Sequence, residues 1–209
     1  MNIIDSLNWR YATKKFDINK IVSEEKLSLL KKAFSLTPTS YGLQPVKLVV
    51  VRDKKIQNEL VPHSYNQGQV EQASHLLIIC IENIIDEAYI RAYFENEKKI
   101  RGTSDEVVNS FRSYLINSFS SKNENEIREW ATKQAYITLG NLLTVCALEQ
   151  IDSCPMEGFV PEKYNELLDL KSKGLSAVLV LPIGYRSNDD VFSGFKKVRK
   201  DINYDIISL

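Results

Sequence analysis

Five polar stretches carry the side chains best suited to bind or transform a ligand. Arg10-Tyr11-Ala12-Thr13-Lys14-Lys15 and Lys196-Lys197-Val198-Arg199-Lys200 concentrate positive charge at two places remote in sequence. Either cluster alone reads most simply as a solvated face. Lys plus Arg equals Asp plus Glu at 27 each, so any anion site must be built locally from residues of this kind. Thr37-Pro38-Thr39-Ser40-Tyr41-Gly42-Leu43-Gln44-Pro45 reads alone as a polar turn, and Asn66-Gln67-Gly68-Gln69 as a surface loop. Pro155-Met156-Glu157-Gly158-Phe159 has the composition of a tight turn.

Several catalytic devices are missing. No two glycines stand two apart, so neither the dinucleotide fingerprint nor a Walker-type phosphate loop can be drawn. His63 and His75 belong to no nucleophile elbow or zinc-protease pair, and each reads as a surface or satisfied core residue. Cys80, Cys146 and Cys154 are spaced for neither a zinc ribbon nor a redox pair and read as small buried hydrophobes. No metal site is expected.

The elements that must position these stretches follow from periodicity. Ser23-Glu24-Glu25 opens a helix with apolar residues at Leu27, Leu30, Ala33 and Phe34, and Pro38 closes it. Val46 to Val51 reads as a buried strand, after which Asp53 caps a short helix through Leu60. Leu76 to Ile81 and Leu175 to Ile183 repeat the strand signature, the latter closed by Gly184. Between them the chain is helical from about Asp86 to Gln150, broken near Gly102 and across Ser120 to Asn125. The last helix of that region, Glu126 to Gln150, is apolar on every side from Ala135 onward, which places it at the centre of the fold or against a second subunit. The tail from Ser187 to Leu209 is too polar to form a core.

Hydrophobic residues at 44% and charged residues at 26% describe an ordinary globular chain. The balanced charge offers no general attraction to nucleic acid or to an anionic membrane surface. Asp5 and Arg10 interrupt any secretory signal core, and no apolar run approaches the ~18 residues of a membrane span. A cytoplasmic α+β protein with a single domain over residues 1–209 is expected.

Taken together and in order, the polar stretches resemble the nitroreductase family, most closely the oxygen-insensitive enteric nitroreductases and the related dihydropteridine and quinone reductases. The resemblance runs from the first helix to Arg199 and is weak only from about Tyr93 to Glu129. It implies a nitroreductase-like fold, with a central mixed sheet flanked by helices, in an intertwined homodimer holding FMN at the subunit interface. It also implies a ping-pong reaction in which NADH or NADPH passes hydride to flavin N5 and an acceptor then takes the same seat. The flavin does the hydride chemistry, so no catalytic side chain is assigned.

The resemblance implies roles residue by residue. Arg10, Lys197 and Arg199 surround the FMN phosphate, where guanidinium groups bind its oxygens bidentately. Lys14 stands beside the pyrimidine edge, Asn66 pairs with the flavin's O and N3-H edge, and the main chain of Glu157 and Gly158 lies against N5 and O4. Thr39, Ser40 and Gln44 come from the opposite subunit, and Tyr11, Gln134 and Met156 complete the cofactor set. Tyr41, Phe111, Tyr114 and Phe119 are candidates for the acceptor pocket, with helix packing as the simpler alternative. Two positions depart from the enteric pattern. Ala12 replaces a serine that would bond the phosphate, which implies weaker retention. Gln69 replaces a second lysine near the pyrimidine edge, so a Gln69→Lys variant is expected to raise the flavin midpoint potential, as potentiometry would measure. The implied acceptors are nitroaromatics and quinones. Pteridine, enone or flavin reduction remains an alternative on the same fold, as does a non-catalytic flavin-binding or redox-sensing protein.

Overall fold

The computed structural model describes residues 2–209. Helix α1 (Ile3–Trp9) is capped by Asn2, whose side chain accepts from the Asp5 N–H, and it leads into the first basic stretch. Helix α2 (Glu24–Ser35) has Ser23 as its N-cap, with Glu24 and Glu25 in its first turn, at the positive end of the helix dipole. Strand β1 (Val46–Val51) and helix α3 (Lys54–Leu60), capped by Asp53, have the bounds that the sequence predicts. The short α4 (Gln69–Gln72) precedes β2 (His75–Glu82).

The helical region divides into α5 (Glu87–Arg101), α6 (Asp105–Ser120) and α7 (Glu124–Leu148). Gly102 ends α5 at φ 70°, a left-handed conformation that glycine adopts without strain. Helix α7 begins two residues before the expected Glu126, because Asn123 and Glu126 form a reciprocal capping box. A two-residue strand β3 (Asp152–Ser153), helix α8 (Pro161–Leu167), strand β4 (Leu175–Gly184) and the short α9 (Ile202–Asp205) follow.

The strands form one sheet in the order β1-β2-β4-β3, antiparallel at every pairing. The expectation of a mixed sheet is corrected here: the parallel contact is an isolated bridge between Ala12 and Ser153. The continuous apolar runs reflect burial on both faces rather than parallel pairing, since helices cover each side. Along β2, Leu77, Ile79 and Ile81 enter one core with residues of α2, α5, α6 and α7. Leu76, Ile78 and Cys80 enter the other with Leu60 and Tyr164. A register shift between Ile79 and Cys80 leaves Val178 of β4 unmatched, so Val178 and Leu179 pack on the same side.

Helix α7 buries Ala135, Leu139, Leu142 and Cys146, but Tyr136 and Ile137 are 44% and 48% exposed in the single chain. Its apolar circumference is thus only partly covered by its own chain. His75 is buried with Nδ1 2.8 Å from Ser74 Oγ, and all three cysteines are buried thiols. Among the described residues no helix is long and apolar enough to cross a membrane.

Candidate functional site

Helix α1 ends at Trp9 and the chain continues extended through Arg10. The tail after β4 turns back over this segment, and the two enclose a cavity of about 410 Å³. Arg10, Tyr11, Ala12, Lys14, Lys197 and Arg199 all line it, together with Lys196. No acidic residue does, among the described residues. The Lys197 ammonium donates to the Arg10 carbonyl, which draws the two basic stretches together. Burial lowers the pKa of the Arg10 guanidinium, and Arg199 lowers it further. Lys197 is lowered by burial and then by Arg10 and Arg199. These cations therefore repel one another, and Arg10 Nε is buried without a hydrogen-bond partner. A dianionic phosphate ester is the group that such a donor set fits.

A second cluster adjoins the cavity through Lys14. Its ammonium lies 3.7 Å from Cys154 Sγ, and the Gln69 amide reaches the same sulfur at 3.9 Å. Gln69 also donates to Gln67 Oε1 at 3.1 Å, and Gln67 donates to the Gly158 carbonyl at 2.8 Å. Tyr136 on α7 donates to the Glu157 carboxylate at 2.7 Å, and Met156 is bonded in both directions to Val180 of β4. Lys14, Gln69, Met156, Glu157 and Gly158 thus form one connected wall. Asn66 stands exposed in the left-handed region at φ 56°, one residue from Gln67.

A third cluster lies apart. The Ser40 N–H donates to Gln134 Oε1 at 2.9 Å, and Gln44 N–H donates to Thr39 Oγ1 at 2.9 Å. Thr39 and Gln44 line a separate cleft of about 370 Å³ that shares no residue with the cationic cavity. Tyr41, at φ 59°, stacks on Trp130 with ring centroids 6.3 Å apart and meets Phe111 and Phe119 edge-on. Phe111 and Tyr114 are exposed, whereas Phe119 is buried against Trp130. A single chain therefore does not bring Thr39, Ser40 and Gln44 to the phosphate-sized cavity.

Several residues here escape sequence reasoning. Asp152 accepts from the Arg186 main chain at 2.7 Å and from its Nε at 2.8 Å, while the Arg186 guanidinium lies 4.3 Å from the Trp9 ring centroid and 4.6 Å from that of Tyr11. Asp190 binds Tyr11. Nothing in the local pattern of either aspartate marks it as buried, and only the fold brings each to its partners.

The Nitroreductase family profile matches residues 7–185. A Staphylococcus aureus protein provisionally named an NAD(P)H nitroreductase is 34% identical, over 96% of this chain and 93% of its own length. Two solved structures share the fold. A Bacillus subtilis protein provisionally named a nitroreductase superposes with a TM-score of 0.87 at 19% identity, covering 99% of this chain and 98% of the other. An Exiguobacterium sibiricum protein, likewise provisionally named and solved in complex with FMN, gives 0.83 at 18% identity, covering 100% and 98%. The chain belongs to the nitroreductase family, a family of NAD(P)H-dependent oxidoreductases that use FMN.

Proposed function

We propose that this chain is an FMN-dependent NAD(P)H oxidoreductase that reduces nitroaromatics or quinones, working as a homodimer in the cytoplasm. The observation that carries the reading is the cavity lined by Arg10, Lys197 and Arg199 and, among the described residues, free of acidic side chains, with one buried guanidinium nitrogen that lacks a partner there. When bound, FMN supplies the two-electron carrier between the nicotinamide and the acceptor.

The chain's own work is binding and orientation. Arg10, Lys197 and Arg199 hold the phosphate. Lys14, whose ammonium lies 3.7 Å from Cys154 Sγ, sets a positive charge where negative charge gathers on reduction. Gln67 holds the Gly158 carbonyl and Tyr136 holds the Glu157 side chain, which fixes the main chain between them. The exposed aromatic face of Tyr41 and Phe111 suits planar acceptors.

The separated third cluster supports a dimer, since residues absent from one chain's cavity can be supplied by a second copy. Exposed apolar residues on α1 (Ile3, Ile4), on α7 (Tyr136, Ile137) and in the tail (Ile206, Ile207) offer the surface for it. Among the described residues strand β1 pairs only with β2, which leaves an edge open. Three buried thiols without a disulfide accord with a reducing compartment.

The test is direct. The purified protein should be yellow, have the mass of a dimer in solution, and bleach rapidly when mixed anaerobically with NADH or NADPH. A colourless protein with no affinity for FMN ends this reading; a yellow protein that neither nucleotide bleaches is a flavin binder rather than an enzyme. Nitroaromatic and quinone acceptors are then compared by kcat/KM.

A further inference from the structure

The cavity's two walls come from segments that have no common secondary structure, and one buried side chain ties them together. Asp190 is only 3% exposed. Its Oδ2 accepts from the Tyr11 hydroxyl at 2.8 Å, from the Lys14 N–H at 3.0 Å and from the Lys15 N–H at 3.2 Å. Its Oδ1 accepts from the Phe192 N–H at 3.1 Å. Tyr11 and Lys14 belong to one wall of the cavity and Phe192 to the other, while Asp190 itself does not line it. The carboxylate therefore stands behind the wall, where it fastens both segments without facing an incoming phosphate.

We propose that Asp190 is the positioning residue of the phosphate cavity, holding the arm that carries Lys197 and Arg199 against the segment that carries Arg10 and Lys14. Beyond Asp190, the only hydrogen bond from residues 191–199 back to residues 10–15, among the described residues, is from Lys197 to the Arg10 carbonyl. The base of the arm is also tied, by the Ser187 N–H to the Lys15 carbonyl at 2.9 Å and by the Lys15–Asp189 ion pair, so without the aspartate the mutual repulsion of Arg10, Lys197 and Arg199 is opposed past position 190 by the Lys197 bond alone, and the arm swings outward from there. The four donors also explain why a carboxylate is required. An asparagine offers one acceptor oxygen, so in either orientation its NH2 group faces at least one donor. Asp190 touches neither cofactor nor substrate, and it acts through the cations it places. The inference rests on the proposed FMN reading.

The experiment separates the two. Full-length apoprotein is titrated with FMN and with riboflavin, which lacks the phosphate, by quenching of flavin fluorescence, for the wild type, Asp190→Asn and Tyr11→Phe. The wild type should prefer FMN. Asp190→Asn should weaken FMN by about tenfold or more, as loss of charge-assisted bonds implies, and riboflavin by less than about twofold. Tyr11→Phe, which removes one of the four donors, should narrow the preference by about threefold. If the wild type prefers FMN and both variants keep its full preference, the inference is overturned while the FMN reading stands. If the wild type binds both flavins equally, or neither, the phosphate reading fails and the inference goes with it. Should Asp190→Asn not fold, as judged by circular dichroism, Asp190→Glu, which keeps the charge and moves the carboxylate off its four donors, decides alone: a narrowed preference supports the role and an unchanged one rejects it.

Discussion

The ammonium of Lys197 donates to the main-chain carbonyl of Arg10, joining positions 187 residues apart. Arg10 cannot turn its carbonyl away without releasing the Lys197 ammonium, so the position of one cation in the cavity depends on the main chain of another. Like charges held together, two of them half-buried and without a counter-ion, are unfavourable, and an anion that enters relieves them.

Inorganic phosphate should therefore stabilise the apoprotein. At a concentration a hundredfold above its Kd, a ligand that binds only the folded state adds about 2.7 kcal/mol, enough to raise Tm by several degrees. Arg10→Ala should abolish that rise, since it removes the most buried of the cations. Thermal melts with phosphate and with chloride at matched ionic strength provide the measurement; an equal rise in both salts would rule out a specific site.

Removing Asp152 should cost more than a surface ion pair. Asp152 is buried and satisfies both the main chain and the side chain of Arg186. Asp152→Ala leaves a partly buried guanidinium uncompensated, for an expected loss of about 3–5 kcal/mol in urea unfolding. A loss under about 1 kcal/mol would place the pair in the class of exposed ones.

Gly42 is held at φ +71°, and a Cβ built there would lie 2.7 Å from the Tyr93 hydroxyl. Gly42→Ala should destabilise by about 1–2 kcal/mol from the backbone alone, with a further steric cost. Tyr93→Phe in the same chain should recover the steric part and leave the backbone part. Complete recovery in the double variant would show that the left-handed conformation carries no penalty here.

The acid response of Asp190 has a definite sign. Burial alone would raise its pKa, but hydrogen bonds from Tyr11, Lys14, Lys15 and Phe192 outweigh it and hold the carboxyl below the ordinary value of 3.8. A lowered folded-state value means the contribution is complete above about 3.8 and disappears as pH falls through the lower, folded value. The stability difference between wild type and Asp190→Asn should hence stay constant from about pH 7 to pH 5 and shrink below about pH 4. Urea titrations across that range measure it, and a difference that begins to shrink above about pH 5 contradicts the assignment.

Much of the scaffold is legible in the sequence because burial leaves a local trace. The run Val46 to Val51 and the capping Asp53 are continuous patterns, and both match the observed elements. Strand direction is not local: Leu76 to Ile81 reads the same whether its neighbours are parallel or antiparallel, so the run itself does not test the mixed sheet that the resemblance implies, and only the observed antiparallel pairings correct it. Arg10, Lys14, Lys197 and Arg199 are visible as charge clusters, and the structure places all four on one cavity. The supporting residues are not. Asp190 sits in Asn188-Asp189-Asp190, where its neighbours are exposed and only the fold distinguishes it. Trp130 likewise reads as a helix residue until Tyr41 stacks on it.

Fastening and attraction are assigned to different forces in this cavity. The bonds to Asp190 are short-ranged and sheltered, whereas Lys14 and Arg199 stand in solvent. Mobile ions weaken interactions between exposed charges over a distance that contracts from about 8 Å at physiological ionic strength to about 3 Å at 1 M, and they scarcely touch a sheltered contact. Concentrated potassium chloride thus offers a gentle route to emptying the site: the guest departs while its host keeps its shape, ready to be refilled on dilution.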